Sequence, residues 1–210
     1  MPNRTAYIIS LKFAPGLKKE FTVMGESLRK YGFDVKYIIS ELYSNLEFTR
    51  EGMIHIQTKI GVRGIIEDSI KYFSMKKIIS IFNNAMPFFV LFYNSHPLNP
   101  RVASLIKKNF PSTILALYLH DPYKPDKSFY GLKKGIYMSF AEFIQGLTLR
   151  YMDYVISPSE YSSYLFRRKY PNFEGNNFIA PLLVPDQMIK CGNKRKYFSI
   201  VGVAHNATGH

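Results

Sequence analysis

The chain has 210 residues, 47% hydrophobic and 20% charged, which is enough to bury one core comfortably. Its formal net charge is +13, from 28 Lys+Arg against 15 Asp+Glu, so anionic surfaces attract it: phosphorylated substrates, nucleic acid or acidic lipid. The single cysteine, Cys191, excludes an intrachain disulfide and fits a reducing, cytoplasmic compartment. The opening "MPNRTAYIISLKF" has one short apolar stretch cut by Lys12 and does not resemble a signal peptide. The most apolar region, Ile78 to Tyr93, is too short for a bilayer span and carries Asn83, Asn84 and Pro87. A soluble or peripheral protein is expected.

Strand and helix signals alternate along the chain. "AYIISLKF" (Ala6–Phe13) is a continuous apolar run, as in a strand covered on both faces. After "APG", the residues Leu17, Phe21, Met24, Leu28 and Tyr31 recur at steps of four and three, which places them on one helical stripe. Gly32 ends that helix, and Asp34–Ser40 is a second strand. Met53–Gln57 is a weaker strand. From Val62, the spacing of Ile65, Ile66, Ile70, Phe73, Ile78 and Ile81 predicts a long helix. Pro87–His96 is a strong strand, after which Asn99 is expected to cap a helix with Pro100 in its first position. Ser112–Asp121 is another strand. Leu132–Arg150 is helical, with Ile136, Phe140, Phe143, Ile144 and Leu147 on one side. Asp153–Glu160 is a strand running into a helix, and "NFIAPLLVP" is a short strand with an exit.

This order predicts an α/β fold, a Rossmann-like parallel sheet with helices on both faces. In such sheets ligands gather at the carboxyl ends of the strands. That rule selects Gly16, Asn94, His96, His120, Asp121 and Ser157 as candidate site residues. Gly16 stands in a Pro-Gly turn before a helix, whose first N–H groups can bind a phosphate or a sugar hydroxyl; a tight turn explains it equally. His120 and Asp121 lie in "LYLHDPYKP". The histidine can orient a sugar or steady charge, while the same pair can simply cap the strand and hold the loop. His96, alone in "NSHPLNP", has a bland structural reading beside the functional one. "SPSE" is explained by Ser157 as an N-cap, Pro158 in the first helical position and Glu160 completing a capping box. No G-x-G-x-x-G, P-loop lysine or metal-ligand spacing occurs, so neither a cofactor nor a metal is expected. The basic runs "FRRKY" and "NKRK" read as solvated faces or contacts to anionic lipid. Nucleic acid is not favoured, since no RNA-recognition or helix-turn-helix signature appears.

Four segments, in this order, resemble the N-terminal half of family 4 glycosyltransferases, enzymes built from two Rossmann-like domains (the GT-B class). They are "YIISLKFAPGLKKEFTVMGESLRKYGFDVKYI", "LYLHDP", "MDYVISPSEYSSYLF" and "NFIAPLLVPD". The resemblance implies a domain over residues 1–184, a linker over 185–196, and the first strand and loop of an incomplete second domain over 197–210. It implies that His120 is the histidine lent to the transferred sugar and that Gly16 approaches donor or acceptor. Gly202 matches the start of the family's phosphate-binding loop. Val203 and Thr208 stand where the family has the arginine and lysine that meet the donor's phosphates. The implied function is therefore the acceptor-side part of a retaining transferase, inactive alone, whose donor is a nucleotide-sugar and whose acceptor is unidentified. The alternative is a non-catalytic module docking on an anionic membrane surface or a protein partner.

Overall fold

The computed structural model describes residues 4–10, 18–40, 53–56, 75–93, 96–119 and 132–180. Its strands are β1 (Arg4–Ser10), β2 (Phe33–Ser40), β3 (Met53–Ile56), β4 (Pro87–Tyr93), β5 (Ile114–Tyr118), β6 (Tyr154–Ser157) and β7 (Asn176–Ile179). Its helices are α1 (Lys18–Lys30), α2 (Met75–Asn84), α3 (Asn99–Asn109), α4 (Leu132–Leu149) and α5 (Glu160–Lys169). Of the long helix expected from Val62, only α2 falls within the described residues. The expected linker and second-domain strand lie outside them.

The strands form one seven-stranded sheet in the order β3-β2-β1-β4-β5-β6-β7, and every neighbouring pair is parallel. The order runs outward in one direction from β1 and in the other from β4, so it reverses between them. Burial explains the strand composition. Residues Thr5 to Ser10 of β1 are all buried, because both faces of the sheet are covered. On one face Tyr7, Ile9, Val90, Phe92 and Leu117 pack under Phe82 of α2, Val102 and Ile106 of α3 and Phe166 of α5. On the other, Ile8, Tyr37, Leu91 and Tyr118 pack under Phe21 and Met24 of α1. Gly25 of α1 sits directly on the Tyr37 ring, where a Cβ would overlap its hydroxyl.

Four local expectations need correction. Tyr31 belongs by spacing to the buried stripe of α1 but is exposed, because the helix ends at Lys30 and Gly32 turns the chain at φ 82°. Asn99 is the first residue of α3 rather than its cap. The preceding Leu98 holds the cap position without a side-chain bond. Ser157 does not cap α5. It ends β6, and the cap is Ser159, whose Oγ accepts from the Ser162 N–H at 3.1 Å. The apolar side of α4 is the fourth. Phe143 is 61% and Phe140 43% exposed, while Gln145, Thr148 and Leu149 face inward.

Polar ties fix the second half of the sheet. Lys107 of α3 donates to Asp153 Oδ2 and Oδ1 at 2.7 and 3.0 Å and to the Thr113 carbonyl at 2.9 Å. Asp153 Oδ2 also accepts from the Leu115 N–H at 2.7 Å. The Asp153 N–H donates to the Leu115 carbonyl at 2.9 Å, and its carbonyl accepts from the Asn176 N–H at 3.0 Å. One residue thus joins α3, β5, β6 and β7. Asp153→Ala should lower stability by about 1–3 kcal/mol, the cost of leaving Lys107 and the Leu115 N–H without their acceptor. The two side chains are 26% and 40% exposed, so water limits the loss to less than that of a fully buried pair. Urea unfolding followed by circular dichroism measures it, and an unchanged midpoint would contradict the tie.

Candidate functional site

In parallel sheets the ligand crevice is expected where the order reverses, which here is outside the carboxyl ends of β1 and β4, next to the first turn of α1. Tyr93 ends β4 and Tyr118 ends β5 at the paired register position. Their rings stack with centroids 5.3 Å apart and planes 9° apart. Phe21 of α1 meets Tyr93 edge-on at 5.5 Å and stacks on Tyr37 at 5.5 Å. The Tyr93 hydroxyl donates to the carboxylate of Glu20, in the first turn of α1. These rings are core, Tyr93 and Tyr118 each 1% exposed, and together with the Glu20 carboxylate they are held under the start of α1. Burial, and secondarily the Glu20 carboxylate, push the Tyr118 hydroxyl up from 10.0 to about 12. That hydroxyl stays neutral, so it can donate a hydrogen bond across the physiological range.

Neither Glu20 nor the two tyrosines were among the residues selected from sequence. A signal for them exists: "PFFVLFY" and "STILALY" both end an apolar strand on tyrosine. Two strands that end alike and pair in register bring those rings together at the edge.

Two of the expected site residues lie within the described structure. His96, just beyond β4, is only 8% exposed. Its Nδ1 accepts from the Leu98 N–H at 3.2 Å, and its carbonyl accepts from the Asn99 N–H at 2.9 Å. Nδ1 is therefore the bare nitrogen, and the proton sits on Nε2. Ser157, fully buried at the end of β6, donates to Asn177 Oδ1 at 3.0 Å, and Asn177 Nδ2 donates to Ser163 Oγ at 2.9 Å. A substrate would have to displace Asn177 to reach that hydroxyl. Gly16, Asn94, His120, Asp121 and Gly202 lie outside the described residues.

A cavity of about 890 Å³ opens at the opposite edge, lined by Lys107, Arg150, Asp153, Lys169 and Tyr170 among others. Its lysines are engaged, Lys107 with Asp153 at 2.7 Å and Lys169 with Glu142 at 2.6 Å. It lies where β6 and β7 begin, the edge that parallel sheets use for support rather than for ligands. Among the described residues, no group of three or more His, Cys, Asp or Glu could hold a metal ion, and no helix is long and apolar enough to cross a membrane.

The fold is α/β and Rossmann-like, similar to one domain of structures of the GT-B type. Sucrose-phosphate synthase from Thermosynechococcus elongatus is similar at a TM-score of 0.62 and 13% identity, over 85% of this chain and 48% of the synthase. A UDP-GlcNAc 2-epimerase from Methanocaldococcus jannaschii is similar at 0.53 and 14%, over 83% and 45%. An alpha-glucosyltransferase in complex with UDP and a 13-mer DNA is similar at 0.50 and 14%, over 84% and 42%. The chain thus spans less than half the length of these proteins. No protein-family model and no curated protein sequence matches it.

The buried ring cluster makes stability depend on alkaline pH. Folded Tyr118 holds its proton more tightly than the unfolded chain does. That contribution is complete below pH 10 and is lost as pH rises from 10 toward 12. Tyr118→Phe should remove about 2–3 kcal/mol of this alkaline loss, read as a flatter dependence of the urea midpoint on pH. Glu20→Gln should move Tyr118 ionisation to lower pH, yet leave it above 10, because burial is the larger cause. Tyrosine ring-carbon NMR resolves that titration.

Proposed function

We propose that the chain is the acceptor-side half of an enzyme that moves a sugar from a nucleotide-sugar donor to an acceptor. The observation that carries this reading is the parallel sheet with its reversal between β1 and β4. That architecture is shared with proteins whose names include a UDP-GlcNAc epimerase and a glucosyltransferase holding UDP. Ligand contacts in such a sheet belong at the reversal, beside Glu20, Tyr93 and Tyr118. A carboxylate there suits sugar hydroxyls, which donate to it, and repels phosphates. The crevice is therefore better matched to an uncharged acceptor or the transferred sugar than to the donor's diphosphate.

In this reading His120 stabilises developing charge near the transferred sugar. Gly16, Asn94 and Asp121 line the acceptor path, and His96 contributes only through Nε2–H, since Nδ1 is engaged. The donor's phosphates are held mainly by a second domain, to which Gly202 belongs. The chemistry is positioning and electrostatic stabilisation, strongest where charge develops in the transition state. An acceptor carried on an anionic, membrane-peripheral surface fits the +13 charge.

The 210-residue chain alone should transfer no sugar from UDP-glucose or UDP-GlcNAc. Amide NMR titration with the free sugars should instead shift resonances around Glu20, Tyr93 and Tyr118. Turnover by the pure chain, or shifts confined to the cavity at the opposite edge, would refute the reading. In a polypeptide that also carries an active donor domain, His120→Ala should lower turnover about 10²-fold, roughly 3 kcal/mol, with an unchanged melting temperature. A large drop in melting temperature with normal specific activity would make the histidine structural instead.

A further inference from the structure

The outward face of α4 is built the wrong way round for a solvated helix. Phe140, Phe143, Leu147 and Arg150 follow at steps of three, four and three, and so form one stripe. Phe143 is 61% and Phe140 43% exposed on that stripe. The inward face needs polar anchoring: Tyr170 donates to Gln145 Oε1 at 3.1 Å, and Thr148 Oγ1 donates to the Ile144 carbonyl at 2.9 Å. Exposed phenylalanines on a helix whose buried face carries Gln and Thr are not surplus core. They form an apolar patch awaiting a cover.

Beside the stripe runs a groove of about 570 Å³ between α3 and α4. Its floor includes Leu105, Leu147 and Tyr151, and Arg101, Lys108 and Arg150 are its charged residues. Among the described residues, no acidic residue lines it. Arg101 and Lys108 lie seven residues apart on the face of α3 opposite buried Val102, Ala103 and Ile106, so both point outward. Among the described residues, none of the three cations has an ion-pair partner. By contrast Lys169, in the basic run of α5, is engaged with Glu142 at 2.6 Å. Arg167 and Arg168 of that run stand beside the exposed Tyr164, whereas Arg101, Lys108 and Arg150 stand beside the exposed phenylalanine stripe of α4.

We propose that the outward face of α3 and α4 docks on an anionic lipid bilayer. The charge selects an acidic occupant. Phenylalanines on the outermost side of an outer-layer helix form a ridge, which enters the headgroup boundary while neighbouring Arg and Lys stay at the phosphates. An acidic peptide would use the cations but leave the ridge uncovered. This docking goes beyond sugar transfer and does not require it.

The test uses the whole chain with vesicles of phosphatidylcholine, and of phosphatidylcholine mixed with an equal part of phosphatidylglycerol. Binding is expected to the mixed vesicles only, and to weaken with salt. The triple variant Arg101→Gln, Lys108→Gln, Arg150→Gln should bind about a hundredfold more weakly, at roughly a factor of five for each cation. Arg167→Gln with Arg168→Gln on α5 should bind nearly as the parent does. The chain has no tryptophan, so Phe143→Trp supplies a single reporter. Its indole emission should shift to the blue on mixed vesicles and be quenched by brominated acyl chains. Equal binding to both vesicle types, greater loss in the α5 variant than in the triple variant, or an unshifted indole emission on bound vesicles would each overturn the proposal. So would a dimer in the absence of lipid that Phe143→Ser dissociates, or binding to poly-glutamate that matches vesicle binding and ignores Phe143→Ser. Circular dichroism of each variant separates lost docking from lost folding.

Discussion

Asp153 is the residue on which the second half of the sheet depends. A carboxylate at the entry to β6 can accept from two directions. Here it takes the Lys107 ammonium from one helix and the Leu115 N–H from the neighbouring strand. Its backbone continues the pairing to β5 and β7. Gly175 follows from this crowding, since a Cβ there would stand 2.6 Å from the Asp153 carbonyl and 2.5 Å from the Phe173 ring. With β6 and β7 registered from their amino ends, the carboxyl end of β6 arrives at a fixed height beside Tyr118, which pairs with Ile156. The contacts at the amino ends thus set where the carboxyl ends of these strands stand.

At that edge the side chains are held by aromatic contacts rather than by charge. Tyr93 has Phe21 on one side and Tyr118 on the other, and its hydroxyl donates to the Glu20 carboxylate. Rings stacked in register have little freedom to move, which makes this part of the core rigid. Glu20, in the first turn of α1, brings a carboxylate to this point in a chain that is otherwise strongly basic.

Periodicity made the architecture readable. Continuous apolar runs such as Pro87–Tyr93 have no other home than a sheet covered on both faces, and the described strands fall inside or within a few residues of the expected spans. What periodicity could not supply was direction. The stripe of α4 was visible as a stripe, but spacing does not say which side meets the sheet, and the polar Gln145 and Thr148 took the buried position. Capping at "SPSE" misled for a related reason: either serine can cap, and the choice depends on where β6 stops pairing with β7. The tyrosine and glutamate cluster depends on strand register, which connects residues far apart in sequence. Most of the sequence-selected site residues lie outside the described residues; only His96 and Ser157 fall within them.

The position of β1 in the interior of the sheet has a kinetic consequence. Tyr7 donates to the Ala85 carbonyl at 2.7 Å across 78 residues of sequence, and β1 pairs directly with β4. A chain leaving the ribosome can bring β1, α1 and β2 together early, but one edge of β1 stays open until β4 has been made. Contacts of such long range close slowly, and an unpaired apolar strand edge is a site of misassociation while it waits. The segment between β2 and β4 therefore determines how long the nascent chain presents that edge to its neighbours.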